Sequence, residues 1–297
     1  MAAKDDRTTP PPPPAPLAVA VADSHTHLDM QSGSPAEALA KAAAVGVTTV
    51  VQVGCDLPGS RWAAELAAEF EQVHAAVALH PNEAPRLVLG TPLPGEEGDG
   101  WSGQRRTPGG SAALEEALAE IDRLAALPQV RAVGETGLDY FRTGPEGVDI
   151  QKESFRRHIE IAKRHGKALV IHDRDAHQDV IEVLLAEGAP ERTVFHCYSG
   201  DAEMAKVCAE HGWYLSFAGP VTFKANQPLR DALAVTPLER VLVETDAPFL
   251  TPHPYRGRPN APYLIPVTVR SMAQTLGLTE EELSSAIATN TARAFGY

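Results

Sequence analysis

The feature that most constrains this chain is an eightfold alternation of short apolar segments with longer helical patterns. The segments are rich in Val and Ala and are apolar throughout, which is typical of strands buried on both faces of a parallel sheet. Eight strands, each followed by a covering helix, predict an α/β fold of the (β/α)8 TIM-barrel type. The predicted strands are 19–23, 47–53, 73–79, 130–134, 168–171, 193–196, 213–217 and 240–244.

Two segments lie outside this repeat. Residues 1–17 contain a run of prolines from Pro10 to Pro14 and predict a disordered, polyproline-rich tail. Residues 86–111 are rich in Gly and Pro and predict an insertion after the third strand. The rest of 18–297 is then predicted to form a single domain of about 250 residues, which is the usual size of this barrel.

Composition narrows the possible partners and the cellular setting. A formal net charge of −13 excludes general nucleic-acid binding through surface charge, but it allows a local site in which metal ions and a few arginines face a phosphate. The three cysteines form no C-x-x-C pair, so we expect a reducing, cytoplasmic setting. The sequence shows neither a signal peptide nor a long uncharged apolar stretch, and we expect no membrane partner.

Imidazoles and carboxylates follow six of the predicted strands at their carboxyl ends, where barrel enzymes build their sites. His25 and His27 are two residues apart, so an extended strand turns both side chains to the same side. An isolated His-x-His is more often a strand cap and a loop contact. Here the pattern recurs, and buried ionisable groups need compensation that a shared metal cluster provides. The groups are His25, His27, His80, Glu135, His172, His196, Glu244 and Asp246.

Four histidines and two carboxylates are enough ligands for two divalent ions. Glu135 is the candidate ligand shared by both ions, because it lies near the middle of the sequence, between the two groups of predicted ligands. Such a centre lowers the pKa of a bound water and holds both oxygens of a phosphoryl displacement. Histidine suits zinc or manganese better than magnesium, and the sequence leaves Mg, Mn and Zn open. The predicted ligands are His25, His27 and Asp246 for one ion, His172 and His196 for the other, and Glu135 for both.

The neighbouring residues have two interpretations each. His80 precedes a proline and is either a strand cap or a group that contacts substrate. Glu244 either orients a histidine or a water from behind the site, or it accepts hydrogen bonds from a buried loop. Arg142 and Arg174 either pair with carboxylates or bind a phosphate, and we predict phosphate binding.

Two further residues have predicted structural roles. We predict that Asp139 caps a helix. We also predict that Phe141, like Tyr140 and Tyr198, is a packing residue and does not stack on a base.

Eight motifs, in order, resemble the TatD family of metal-dependent deoxyribonucleases, within the wider amidohydrolase-like barrels. They cover nearly the whole chain apart from the tail and the insertion. They are Asp-Ser-His-Thr-His-Leu-Asp at 23–29, Leu-His-Pro at 79–81, Gly-Glu-Thr-Gly-Leu-Asp-Tyr at 134–140, Gln151 with Phe155 and His158-Ile159, Ile-His-Asp-Arg-Asp-Ala at 171–176, Phe-His-Cys-Tyr-Ser-Gly at 195–200, Glu-Thr-Asp-Ala-Pro-Phe-Leu-Thr-Pro at 244–252 and Arg-Gly-Arg-Pro-Asn-Ala-Pro at 256–262.

The resemblance implies hydrolysis of DNA phosphodiester bonds, in some relatives as a 3′–5′ exonuclease in DNA repair. It places the six predicted ligands on the family's metal ligands, and His80 and Glu244 on further active-site positions. The hypothesis is that Asp246 acts as general base, with catalytic roles also for Glu135, His80 and Glu244. The expected substrate is DNA, single-stranded or frayed at its end. One alternative is hydrolysis of an ester or amide, as in a D-aminoacyl-tRNA deacylase, and another is a non-catalytic barrel.

Overall fold

The chain forms one eight-stranded parallel sheet whose strands follow each other in sequence order. The computed structural model describes residues 7–90 and 107–297. It confirms the predicted barrel and each of its eight strands. The strands are β1 (Val21–Thr26), β2 (Val47–Gly54), β3 (Val73–Val77), β4 (Val130–Asp139), β5 (Ala168–Arg174), β6 (Thr193–Phe195), β7 (Tyr214–Phe217) and β8 (Val241–Val243).

Helices alternate with these strands and cover the outside of the barrel. Their apolar faces pack on one large cluster that includes Leu118, Ile121, Phe155 and Ile159. The helices are α1 (Pro35–Ala43), α2 (Leu57–Glu69), α3 (Glu83–Leu89), α4 (Gly110–Ala125), α5 (Pro145–His165), α6 (His177–Glu187), α7 (Ala202–Glu210), α8 (Gln227–Val235), α9 (Ile265–Leu276) and α10 (Glu280–Phe295).

The first and last strands close the barrel near the functional residues. Asp246 donates its backbone N–H to the carbonyl oxygen of His25 at 2.9 Å, and His27 donates to Ala247 at 2.8 Å. Thr26 and Ala247 form an isolated parallel bridge. The seam therefore joins the end of β1 and His27 to the segment after β8 that contains Asp246 and Ala247.

β4 and β5 exceed their predicted lengths by the most residues, and both extend toward the site. β4 continues past Gly134 to Asp139, and its partner β5 continues to Arg174. Gly137 permits this extension, because its φ is +140° and a Cβ there would overlap the carbonyl oxygen of His172. Without a side chain at this position, the two strands can pair along their full length.

The prediction of a disordered tail is wrong for its described part. Residues 7–17 contain no helix or strand, but Pro11 and Leu17 are buried. Arg258 donates to the carbonyl oxygens of Thr9 and Pro10, and the Tyr263 hydroxyl donates to that of Pro11. The proline segment is therefore attached along the barrel.

The residues at both ends of the predicted insertion, 86–111, belong to helices. Its first residues belong to α3, which ends at Leu89, and its last two begin α4. Its central part, 91–106, lies outside the described residues. In the part of the chain that the structure describes, no helix is long and apolar enough to cross a membrane.

Candidate metal centre

The period of two along a strand explains why three of the site residues point into the barrel. Val170, Val194 and Leu242 belong to the cluster that fills the barrel interior. Side chains two residues further along a strand face the same side. His172, His196 and Glu244 therefore continue the inner face of β5, β6 and β8, just where these strands end.

The first group of donors lies at the seam of the barrel. The Nε2 atoms of His25 and His27 are 3.2 Å apart. They lie 3.7 Å and 3.4 Å from Oδ1 of Asp246, and 3.7 Å and 3.6 Å from Oε1 of Glu135. Ligands at about 2.1 Å from one tetrahedral ion are about 3.4 Å apart. The spacing of these four residues fits a single ion.

The second group lies at the ends of β4, β5 and β6. Oε2 of Glu135 is 2.8 Å from Nε2 of His196 and 3.1 Å from Nδ1 of His172. The two imidazole nitrogens are 3.4 Å apart. Each oxygen of Glu135 thus faces a different group. The structure brings all six predicted ligands together and places Glu135 between the two sets.

Hydrogen bonds orient three of the four imidazoles from behind. Nδ1 of His27 lies 3.1 Å from the carbonyl oxygen of Val53, and Nδ1 of His196 lies 3.2 Å from Oε1 of Glu244. Nε2 of His172 lies 3.2 Å from Oδ2 of Asp139. A hydrogen-bond acceptor beside one ring nitrogen keeps the proton on that nitrogen, so the other ring nitrogen can bind a metal. These contacts suit ligands that must present a lone pair to the site.

The predicted helix cap at Asp139 is wrong, because α5 begins at Pro145 with Gly144 as its N-cap. Oδ1 of Asp139 instead accepts from the backbone of Phe141 and Arg142 in the turn after β4. Its Oδ2 accepts from Asn82 and faces His172. The sequence alone gave no sign of this second contact, because it depends on the unforeseen extension of β4 and β5.

Glu244 lies behind His196 and outside the two ligand groups. Its Oε1 accepts from the backbone N–H of Cys197 at 2.8 Å, in addition to the contact with His196. Among the described residues, neither its buried Oε2 nor Nδ1 of His25 has a hydrogen-bond partner. The geometry matches both predicted roles, because Glu244 orients His196 and also accepts from the loop residue Cys197.

Sequence reasoning missed Cys55, which follows β2. Its thiol donates to Oε1 of Glu135 at 3.2 Å, and its sulfur lies 3.8 Å from Nδ1 of His27. Burial raises the pKa of this thiol well above its usual value, and the charge of Glu135 adds to the effect. Cys55 lies two residues after the interior residue Val53, so the same period of two could have identified it.

Asp246 stands in an unusual backbone conformation. Its φ is 52°, in the left-handed region that non-glycine residues seldom adopt. The hydrogen bond to His25 and the neighbouring bridge at Ala247 hold it there. Such strain is common at functional sites, where the surrounding structure enforces it.

The pKa values show how the groups balance one another's charge. Burial raises the pKa of the Glu135 and Asp246 carboxyls, but the surrounding imidazoles outweigh it, and both values fall below the usual range. Burial lowers the pKa of His27, but Asp246 and Glu135 outweigh it and raise the value to about 9. The carboxylates thus retain positive charge on His27, whereas burial and His196 lower the pKa of His25. Metal binding at such a site would release these protons.

His80 lies beside the second group. Its Nδ1 accepts from the backbone N–H of Asn82 at 3.1 Å, so Nε2 carries the proton, 3.9 Å from Oε2 of Glu135. Burial lowers the pKa of His80 to about 3, and His172 adds to this effect. At neutral pH, His80 presents an uncharged N–H donor to the site.

The arginines and Phe141 lie at the outer edge of the second group. The Arg174 guanidinium stands 3.9 Å above the centre of the Phe141 ring. The predicted packing role of Phe141 is wrong, because 61% of this residue is exposed. Arg142 is half-buried, and its backbone is bound to Asp139.

Comparisons with known proteins agree with this geometry. The model of the family described as TatD-related DNase matches residues 22–296. A Mycobacterium tuberculosis protein named metal-dependent hydrolase TatD is 43% identical over 85% of this chain and 88% of its own length. The Bacillus subtilis metal-dependent hydrolase YabD is 37% identical over 84% of this chain and 88% of its own length.

Solved structures show the same fold. The TatD homologue YjjV from Escherichia coli superposes with a TM-score of 0.79 at 23% identity, over 93% of this chain and 98% of its own. A TatD family hydrolase from Entamoeba histolytica gives a TM-score of 0.74 at 17% identity, over 94% of this chain and 99% of its own. The chain belongs to the family of TatD-related DNases and is a metal-dependent hydrolase.

Proposed function

We propose that this protein hydrolyses phosphodiester bonds of DNA with two divalent metal ions. One observation carries the proposal: the two oxygens of Glu135 face separate groups of donors, at 3.6–3.7 Å from the His25–His27 pair and at 2.8–3.1 Å from the His196–His172 pair. A carboxylate between two imidazole groups is the arrangement expected of a bridged two-metal centre. Paired ions of this kind are typical of phosphodiester hydrolysis.

The proposed ligands are the six residues already described, with Glu135 shared between the ions. When bound, the ions supply an activated water and neutralise the charge on the phosphate. Asp246 is placed to accept the proton of the attacking water, because its carboxylate stays ionised beside the His25–His27 pair. The Nε2–H group of His80 donates a hydrogen bond to a phosphate oxygen of the substrate. The Arg174 guanidinium, at the outer edge of the second donor group, binds the next phosphate.

The proposed partner is an unpaired DNA strand or a frayed duplex end. The acidic charge of −13 argues against a long electrostatic track for duplex DNA. The proposed compartment is the cytoplasm, and the free state of Cys55, Cys197 and Cys208 agrees with it.

The test is hydrolysis of end-labelled DNA after chelation, followed by add-back of Mg²⁺, Mn²⁺ or Zn²⁺ one at a time. Activity should vanish with the chelator and return with at least one metal. Asp246→Asn should lower kcat by about 100-fold or more. Asp175→Asn is the matched control, because Asp175 is exposed after β5 and its φ of 56° suits Asn equally well.

An ester or amide substrate is the alternative outcome. Turnover of a D-aminoacyl-tRNA ester without cleavage of any phosphodiester would refute the nuclease proposal while leaving the metal centre intact.

A further inference from the structure

Two exposed phenylalanines lie at the rim of the metal centre. Phe141 is 61% exposed and Phe249 is 44% exposed. Single exposed apolar residues are common on protein surfaces and need no special reason. The position of these two is what calls for an explanation, because each follows a residue of the site by two or three positions.

Phe141 lies beside the second donor group. Its backbone N–H donates to Oδ1 of Asp139, whose other oxygen faces Nε2 of His172. The Arg174 guanidinium stacks on one face of the ring at 3.9 Å. With 61% of the residue exposed, the rest of the ring faces solvent. The pair presents an aromatic surface and a cation side by side.

Phe249 lies beside the first donor group. Its ring centre is 6.3 Å from that of His27, and its backbone N–H donates to the carbonyl oxygen of Asp246 at 2.9 Å. Asn260 donates to the carbonyl oxygen of Phe249, which fixes the turn that carries the ring. Phe249 thus contacts the first donor group and Phe141 contacts Asp139 beside the second, and Glu135 joins the two groups.

The chemistry of the substrate completes the argument, which rests on the proposed function. A chain with a net charge of −13 gains little from long-range attraction to a phosphate backbone. Affinity must then come from short-range contacts near the reacting phosphate. Every base has a flat face, and stacking on an aromatic side chain strengthens binding by about 5-fold to 100-fold per base. Paired bases keep their faces stacked within the duplex.

We propose that Phe141 and Phe249 are specificity-determining residues that stack on unpaired bases at either side of the phosphate being cleaved. Arg174 binds the phosphate next to the base on Phe141. The two rings thus select an unpaired strand over both duplex DNA and a strand that lacks bases.

The experiment compares two substrates that share their phosphates. One is a labelled oligothymidylate, and the other is an abasic strand of the same length. The readout is the ratio of KM values for the two strands, with kcat measured separately. The wild type should prefer the oligothymidylate, and Phe141→Ala or Phe249→Ala should each reduce that preference by about 5-fold to 100-fold, mainly through KM.

Two kinds of variant separate the ring from other effects. Phe141→Tyr keeps the aromatic face and should keep the preference, whereas Phe141→Leu keeps only apolar surface and should lose it. Leu185→Ala removes another exposed apolar side chain, 51% exposed near the end of α6, and should change nothing. Because both phenylalanines are exposed, thermal unfolding of the Ala variants should match the wild type and show that they fold.

The outcomes distinguish this inference from the function on which it rests. If Phe141→Ala and Phe249→Ala keep the wild-type preference, or if Phe141→Tyr loses it as fully as Phe141→Ala, the stacking role is overturned while the nuclease activity stands. The same holds if the wild type cleaves a fully paired duplex faster than the single strand. If the wild type cleaves neither DNA nor bis(p-nitrophenyl) phosphate, the proposed function fails and this inference with it.

Discussion

Replacing Asp139 with Asn should weaken the binding of one metal ion and leave the binding of the other unchanged. Asp139 is 1% exposed, and its Oδ2 lies 3.2 Å from Nε2 of His172 and accepts from Asn82 at 3.1 Å. If the amide oxygen of the variant keeps the contacts with the backbone of Phe141 and Arg142, its NH2 group faces two other donors. His172 then loses the acceptor that fixes its proton.

The expected magnitude follows from the kind of contact that is lost. Removing the carboxylate behind a ligating histidine typically costs 10- to 100-fold in metal affinity, about 1.4–2.7 kcal/mol. The amide of the Asp139→Asn variant would place donor against donor and leave them buried, so we expect a loss near the upper end. The His25–His27 group has no contact with Asp139 among the described hydrogen bonds, and its ion should keep its affinity.

The assay is a titration of the metal-free protein with Zn²⁺ or Mn²⁺ by calorimetry. The wild type should bind two ions, and Asp139→Asn should bind one as before and the other about 100-fold more weakly. Asp175→Asn should behave as the wild type, because Asp175 is exposed and lies outside both groups. An equal weakening of both steps, or no change in either, would falsify the assignment of His172 to a separate ion.

The remaining predictions concern the bridge, a buried histidine and the proline segment. Glu135→Ala should release both ions and abolish hydrolysis without unfolding the barrel. Metal analysis would measure the bound ions, and circular dichroism would show that the fold persists. Full activity with two bound ions would contradict the bridging role. Burial lowers the pKa of His158 from 6.5 to about 4. As the pH falls, this histidine is therefore protonated in the unfolded chain before it is protonated in the folded protein. The free energy of unfolding should fall by about 3 kcal/mol between pH 6.5 and pH 4. Urea titrations should find this slope missing in His158→Gln. Deleting residues 1–16 removes the carbonyl acceptors of Arg258, Tyr263 and Arg270 and should lower the free energy of unfolding by about 2–4 kcal/mol in the same assay; no change would mean that the segment is only loosely attached.

The fold and the six clustered residues were predictable because both depend on local patterns. Runs that are apolar throughout indicated parallel strands, and the barrel architecture then placed all their carboxyl ends together. His172 and His196 could be assigned to the interior from the period of two alone. Strand order and residue parity were sufficient for these two, whereas Glu135 follows an irregularity in β4 between Val133 and Thr136 that parity does not predict.

The missed features depend on contacts between distant segments. The proline segment is polar and lacks helical or strand periodicity, so its attachment through Arg258 and Tyr263 leaves no local signal. The exposure of Phe141 likewise depends on where β4 ends, and that end depends on the close approach of Gly137 to His172. α3 is short and contains Pro85, so its sequence resembles that of the neighbouring loop and does not indicate a helix.

The position of the two donor groups in the barrel explains why one carboxylate must reach between them. The first group forms across the seam, where Asp246, three residues after β8, donates its backbone N–H to His25 and closes the barrel. The second group stands on β5 and β6, which adjoin β4 on the other side of the sheet order. Glu135 on β4 is next to the second group in the sheet, yet its Oε1 reaches the imidazoles of β1. The bridge therefore links the closing seam of the barrel to its middle strands, so that the geometry of the site and the closure of the fold depend on the same few side chains.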